Sequence, residues 1–223
     1  GAYGQRSANF IIQNSDLLIS LGSRLSIPLI GRNYKAFARA AKKVIVDVDK
    51  DELEKSTISP DIAVNCDIKT FIGEFLTECP NNTKPDIGNW IDRCKKWRSK
   101  FPNLPEDPKS KKNFVDPYTF MDILSGELKE WQVIVVDGGT PINFFMQAFR
   151  FKKDQRFISS TGVEAPGFAL YGSIGSCIGN NKKEIICICE DTGFQISAQE
   201  IQTIINYNLP IKIFILNNKG HSD

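Results

Sequence analysis

The fold is decided by residues 184–220, which read EIICICEDTGFQISAQEIQTIINYNLPIKIFILNNKG. Two apolar runs, 184–189 and 211–216, are rich in isoleucine and have the length of buried strands. Between them the sequence predicts a helix over 197–208, opened by the capping box Ser197-Ala-Gln-Glu200. A strand, a helix and a second strand in this order predict a parallel βαβ unit, whose two strands are usually neighbours in the sheet.

Asp191 and Asn218 lie just past the carboxyl ends of these two predicted strands. Neighbouring parallel strands end at the same edge of a sheet, and open α/β sheets bind ligands at that edge. A carboxylate, an amide oxygen and a backbone carbonyl are hard oxygen donors that suit Mg²⁺. A magnesium site is one interpretation of this pair. The alternative is that Asp191 caps a loop and Asn218 makes a turn.

Gly138-Gly139-Thr140 follows a third predicted strand, 133–136. Glycines let the backbone approach an anion closely, and a threonine hydroxyl can donate a hydrogen bond to a phosphate oxygen. The same three residues would also make an ordinary turn, so the loop by itself leaves both interpretations open.

Strands and helices alternate along the rest of the chain, which predicts parallel α/β sheets. A proline-rich, charged stretch over 80–113, with one helix over 87–100, separates a lobe of residues 1–79 from a lobe of residues 114–223. The other predicted strands are 16–21, 44–48 and 62–64. The end of a helix is predicted over 7–14, and the other predicted helices are 37–43, 51–55, 69–77, 118–129 and 167–179.

The stretch 184–220 resembles the thiamine diphosphate signature, Gly-Asp-Gly followed by an Asn-Asn pair. In the family about 27 residues separate the Asp from the second Asn, and Asp191 and Asn218 are 27 positions apart. The segment FISSTGVEAPGFALYGSIGS, 157–176, resembles the part of the family that lies beneath the two cofactor rings. Residues 1–79, opening GAYGQRSANFIIQNSDLLISLGSRL, resemble its middle domain. The chain is thus similar to thiamine diphosphate-dependent enzymes of the acetolactate synthase and 2-oxo acid decarboxylase family.

This resemblance implies an α/β fold of two parallel-sheet lobes. Residues 1–79 would be a partial, Rossmann-like middle domain, 80–113 a linker, and 114–223 a partial thiamine diphosphate-binding domain. The family's metal ligands would be Asp191, Asn218 and the carbonyl of Gly220. The cofactor-binding residues would be Gly139, Thr140, Glu164, Ala165, Pro166, Asp191, Thr192, Gly193, Asn218 and Gly220.

The implied function is decarboxylation or carboligation of a small 2-oxo acid, dependent on thiamine diphosphate and Mg²⁺, in a protein that is a homodimer or homotetramer when complete. In the family, the glutamate that activates the cofactor lies on an N-terminal domain of the partner subunit. No residue here takes that role, so we assign no catalytic residue and expect the 223 residues alone to be inactive. His221, the only histidine, follows the metal loop. It could face the site, but the favoured interpretation is a solvated histidine in a loop.

Several residues depart from the family pattern. Glu190 and Thr192 replace the glycines that flank Asp191, and a carboxylate at 190 would repel the diphosphate unless it turns away. Glu164 and Pro166 replace a small residue and a bulky apolar one. Glu190, Thr192 and Glu164 favour the alternative of a non-catalytic nucleotide- or subunit-binding module. The sequence after Arg24 lacks the acidic pair of flavin-binding acetolactate synthases, which argues against FAD.

Composition excludes other classes. With 28 Lys and Arg against 26 Asp and Glu, the net charge is +2, and no basic stripe indicates nucleic-acid binding. No apolar segment is long enough to span a membrane. Cys187 and Cys189 alternate along an apolar run and should pack on one face of a strand, as in a reducing, cytoplasmic protein. No G-x-G-x-x-G follows the first strand of either lobe, which argues against a dehydrogenase.

Overall fold

A computed structural model describes residues 1–79, 86–102, 104 and 114–220. The chain divides into two compact units, residues 1–102 and 103–223. The predicted linker lies partly outside the described residues, and its helix packs within the first unit. The boundaries at residues 79 and 114 therefore stay a prediction. His221 also lies outside the described residues.

The first unit holds a sheet of three parallel strands in the order β1-β2-β3. Its strands are β1 (Leu17–Leu21), β2 (Lys42–Asp47) and β3 (Ile62–Asn65). Its helices are α1 (Arg6–Asn14), α2 (Ile27–Ile30), α3 (Lys50–Glu54), α4 (Ile68–Glu78) and α5 (Gly88–Lys100), with a short 3-10 turn over Tyr34–Ala36. α5 packs on α1, where Phe10 stacks on Phe101 with ring centroids 4.7 Å apart.

The helix predicted over 37–43 is wrong. Residues 37–40 form turns, and β2 begins at Lys42. Ala38 has a φ of 43°, a left-handed conformation that cannot continue an α-helix. Phe37, Ala38 and Ala41 are buried in the core of this unit beside Ile45. Tertiary packing thus overrides the helix propensity of the alanines.

The second unit holds four parallel strands in the order β5-β4-β6-β7. Its strands are β4 (Val133–Val136), β5 (Arg156–Ile158), β6 (Ile185–Glu190) and β7 (Ile211–Leu216). Its helices are α6 (Pro117–Glu127), α7 (Thr140–Ala148), α8 (Phe168–Gly179), α9 (Asp191–Ser197) and α10 (Glu200–Asn206). The two parallel sheets flanked by helices confirm the predicted α/β fold class.

The central strands β4 and β6 are buried along their whole length, as expected of a parallel sheet covered on both faces. Cys187 and Cys189 do lie on one face of β6. They pack with Val133 and Val135 of β4 and with Ala169 of α8 in one hydrophobic core. Among the described residues, no helix has the length and apolar composition needed to cross a membrane.

The helix predicted over 197–208 is confirmed for its central part, α10 (Glu200–Asn206), but its predicted start is wrong because Ser197 ends a separate helix, α9 (Asp191–Ser197). Ser197 is buried at the end of α9, where its hydroxyl donates to the carbonyl of Gly193 at 2.9 Å. It therefore caps nothing in α10, whose preceding residue Gln199 is itself helical in backbone conformation. The sequence interpretation also missed β5 and α7.

Candidate functional site

A cleft of about 610 Å³ opens in the second unit at the carboxyl edge of the sheet. Strands β6 and β7 are adjacent and parallel, as predicted, and their last residues, Glu190 and Leu216, are paired in register. The cleft is lined by Phe114, Val115, Pro117, Phe120, Thr140, Phe144, Glu190, Phe214, Ile215, Leu216, Asn217 and Asn218. One wall is therefore apolar and largely aromatic, and the other carries the polar residues at the strand ends.

The Gly138-Gly139-Thr140 loop joins β4 to α7 beside this cleft. Gly139 precedes α7 with φ 75° and ψ −137°, a conformation open to glycine and strained for other residues. A Cβ on Gly138 would lie 2.9 Å from the backbone of Glu164, so close packing of two loops requires glycine there as well. Thr140 is the first residue of α7 and lines the cleft. The amino end of α7 can therefore offer N–H groups to an anion.

Glu190 is the last residue of β6 and is 3% exposed. Its carboxylate faces the same loop. A Cβ on Gly139 would lie 3.6 Å from Glu190 Oε1 and 3.8 Å from Oε2. Because Glu190 also lines the cleft, its side chain has not turned away from the candidate anion site.

Asp137 is a buried carboxylate at the end of β4. Its Oδ2 accepts the N–H of Gly167 at 3.1 Å and its Oδ1 accepts the N–H of Ala169 at 3.3 Å. Burial raises the pKa of this carboxyl, while hydrogen bonds from the backbone amides around the start of α8 act in the opposite direction. The carboxylate thus joins β4 to the amino end of α8. Asp137 was not singled out from the sequence. The signal that could have found it is an acid between a buried strand and a Gly-Gly pair.

Asp191 begins α9, and its Oδ1 accepts the N–H of Thr192 at 3.0 Å. Asn218 lines the cleft two residues beyond the end of β7, whereas Asp191 is not among the lining residues. The part of the chain that the structure describes has no cluster of three or more His, Cys, Asp or Glu that could hold a metal. The predicted ligand set contains only one such side chain, so the metal site stays a prediction.

The other predicted site residues do not line the cleft. Glu164 and Pro166 are exposed, and the Ala165 N–H donates to Ser160 Oγ at 3.0 Å. Gly193 is buried, and a Cβ added to it would collide with Asp137 Oδ2. Gly220 is exposed, with no heavy atom within 4 Å of an added Cβ. Their part in cofactor binding stays a prediction.

Two protein-family models match this chain. Residues 137–222 match the family model described as "Thiamine pyrophosphate enzyme, C-terminal TPP binding domain", which includes the loop after β4, Glu190, Asp191 and Asn218. Residues 1–75 match "Thiamine pyrophosphate enzyme, central domain". The chain belongs to the thiamine pyrophosphate enzyme family. This membership confirms the resemblance read from the spacing of Asp191 and Asn218.

Several relatives of this chain are named acetolactate synthases. The chain is 32% identical over 222 residues to the acetolactate synthase large subunit of Porphyra purpurea and 33% identical over 224 residues to that of Cyanidium caldarium. It is 31% identical over 226 residues to the chloroplastic acetolactate synthase of Arabidopsis thaliana. Each match covers 98% of this chain and 36%, 37% and 32% of the respective relative. The chain therefore spans about a third of the length of these relatives.

Proposed function

We propose that this chain carries the diphosphate-binding edge of an enzyme that uses thiamine diphosphate and Mg²⁺ to decarboxylate or carboligate a small 2-oxo acid. The observation that carries the proposal is the cleft at the carboxyl edge of the second sheet. Thr140, which follows Gly139, and Asn218 both line this cleft, inside the region that matches the thiamine pyrophosphate-binding model.

The residues at this edge suit a metal-bound diphosphate. Asp191, Asn218 and the carbonyl of Gly220 would provide hard oxygen ligands for Mg²⁺. The backbone at Gly139 and the hydroxyl of Thr140 would hold phosphate oxygens, since the positive φ of Gly139 turns the loop toward the start of α7. When bound, thiamine diphosphate supplies a nucleophilic carbon and a sink for the electrons released with CO₂. The aromatic wall of the cleft would exclude water from that chemistry.

The acetolactate synthase names of the relatives support a 2-oxo acid as the substrate. We further propose that the complete protein is a homodimer or homotetramer and that it is cytoplasmic. The expectation that these 223 residues alone do not turn over a 2-oxo acid stays a prediction.

Isothermal titration calorimetry tests the proposal by measuring the affinity of the protein for thiamine diphosphate with and without Mg²⁺. In the full-length context Asp191→Ala should abolish Mg²⁺-dependent binding, because it removes the only carboxylate of the proposed ligand set. Glu130→Ala is a matched control, since Glu130 is an exposed acid near the amino end of β4, at the opposite edge of the sheet. An Asp191→Ala variant that binds the cofactor with unchanged affinity would refute the assignment.

The carboxylate of Glu190 beside Gly139 favours a second candidate, a non-catalytic nucleotide- or subunit-binding module. The two candidates differ in the titration of the wild-type protein. Thiamine diphosphate that binds in the presence of Mg²⁺ supports the enzyme. A folded protein that binds no thiamine diphosphate at any Mg²⁺ concentration supports the module.

A further inference from the structure

A second cleft, of about 570 Å³, lies within the first unit between side chains of α1, α5 and the turn that precedes β2. Three arginines come together here from distant positions in the chain, and no aspartate or glutamate is among the described residues that line the cleft. The lining residues are Arg6, Asn9, Phe10, Gln13, Asn14, Arg39, Arg93 and Trp97.

The positive charge of this cleft is not neutralised by an ion pair in the described part of the chain. None of the three lining arginines pairs with a carboxylate there, whereas Arg24 of the same unit pairs with Glu52 at 3.0 Å. Arg39 donates to the neutral Gln13 Oε1 at 3.4 Å. Like charges that share a cleft repel each other, so an anion bound between them would be stabilised.

Aromatic rings hold two of these arginines in place. The guanidinium of Arg6 lies 4.7 Å from the ring centroid of Phe101, and that of Arg93 lies 4.9 Å from the ring centroid of Trp97. A guanidinium that stacks on a ring keeps its N–H groups at its edge, where they can donate to an oxyanion. Stacking also restricts the side chain before a ligand arrives, which lowers the entropy cost of binding.

The chemistry of the lining favours a phosphate-type ligand. Arginine binds phosphate through two parallel N–H···O bonds, and the bonds are strengthened by the charge on both partners. A diphosphate carries more charge than a carboxylate and therefore offsets more of the charge of three arginines. The side-chain amides of Asn9, Gln13 and Asn14 add donors and acceptors for further oxygens. The volume of the cleft is typical of sites for small molecules.

We propose that this cleft binds a small anion with a diphosphate group, held by Arg6, Arg39 and Arg93 without a metal ion. The three guanidinium groups belong to exposed residues, so a dissolved anion can reach them. α1 precedes β1 and the turn that carries Arg39 precedes β2, which places the site toward the amino ends of these parallel strands. Open α/β sheets bind ligands at the opposite, carboxyl edge. The site is therefore separate from the cofactor edge of the proposed function, which does not require it.

Isothermal titration calorimetry of the full chain with inorganic pyrophosphate, in a buffer with EDTA, tests this site. EDTA removes divalent cations and so separates the arginine cleft from the metal-bound diphosphate of the proposed function. We expect the wild type to bind one pyrophosphate in EDTA. The affinity should fall as the KCl concentration rises, because salt screens exposed charges.

Arg39→Gln and Arg93→Gln each remove one guanidinium and should raise the Kd for pyrophosphate at least about tenfold. Arg39→Lys keeps the charge and loses the planar fork, so it should restore only part of the affinity. Arg98→Gln is the matched control, because Arg98 is an exposed arginine of α5 that does not line the cleft. It should leave the Kd unchanged, and thermal unfolding reports whether each variant is folded.

Three results would overturn the site. One is a folded wild type whose Kd for pyrophosphate in EDTA is above about 1 mM. Another is an equal loss of affinity in Arg98→Gln and Arg93→Gln, which would indicate non-specific attraction. The third is binding that needs Mg²⁺ and disappears in Asp191→Ala, which would place the diphosphate in the second unit and support the proposed function. Binding in EDTA that depends on Arg39 and Arg93 supports the site, whether or not thiamine diphosphate binds with Mg²⁺.

Discussion

Replacing Gly193 with alanine tests the packing of α9 against Asp137 and the start of α8. Gly193 is the third residue of α9 and is buried. An added Cβ would collide with Asp137 Oδ2 and lie 3.1 Å from the nitrogen of Gly167. That oxygen already accepts the Gly167 N–H, so the new methyl group must push the carboxylate off the start of α8.

The expected magnitude combines two opposing terms. Alanine in a helix gains about 1 kcal/mol over glycine from propensity. Hydrogen bonds to a charged group contribute about 1.5–3 kcal/mol each, and displacement of Asp137 loses at least one of them. Gly193→Ala should therefore lower the free energy of unfolding of the second unit by about 0.5–2 kcal/mol. A helix-propensity argument by itself predicts the opposite sign.

Hydrogen exchange followed by mass spectrometry suits this measurement, because it reports on β6 separately from the first unit. A loss of about 2 kcal/mol corresponds to about 30-fold faster exchange of the β6 amides, if these exchange by unfolding of the unit. The control is Gly175→Ala in α8, an exposed position where an added Cβ meets no heavy atom within 4 Å. That change should slow the exchange or leave it unchanged.

A double-mutant cycle decides whether Asp137 is the cause. In an Asp137→Ala background the colliding oxygen is absent, so Gly193→Ala should cost little or nothing there. Contacting residues that share an interaction typically show coupling of about 0.5–3 kcal/mol. If Gly193→Ala costs the same in both backgrounds, the reasoning is refuted.

Burial raises the pKa of the Asp137 carboxyl, so the stability from this group is present below its ordinary pKa and is lost as the pH rises through the folded value. Urea unfolding should therefore show the stability of the wild type relative to Asp137→Asn falling as the pH rises from about 4, and a constant difference would contradict this. Hydrogen bonding to Lys212 lowers the pKa of Glu184, so that pair stabilises above the ordinary carboxyl pKa and less as the pH falls. Lys212→Met should cost less than about 1 kcal/mol at pH 7 and nothing near pH 2; an equal cost at both pH values would exclude this linkage. Gly139→Ala should destabilise by about 1–3 kcal/mol in thermal unfolding because of its positive φ, and an unchanged midpoint would show that the loop relaxes.

Local sequence patterns were enough to predict the parallel α/β class and most strands. The isoleucine-rich run at 184–189 is short, apolar and β-branched, and it forms the buried strand β6. The same applies to Val133–Val136. The similar run at 211–216 forms β7, which is only partly buried because it lies at the end of the described sheet. The spacing between Asp191 and Asn218 led to the family, because residues just past the ends of neighbouring parallel strands are separated by one crossover of set length.

Local sequence also misled in places where distant contacts decide the conformation. The Ser197-Ala-Gln-Glu200 pattern has the residue types of a capping box, but the Ser197 hydroxyl bonds back to Gly193 inside a separate helix, α9. Ala38 belongs to an alanine-rich stretch, yet its left-handed backbone and burial end any helix there.

Only the tertiary structure decided what surrounds the candidate site. Asp137 and Gly193 are 56 positions apart, and their contact exists because β4 and β6 lie side by side in the sheet. The direction of the Glu190 side chain follows from the same pairing, which holds the end of β6 against the Gly139 loop. A strand pattern in the sequence specifies which residues lie on the same face of the strand. The neighbouring strand and the loops at the edge of the sheet decide which charged side chains come close together.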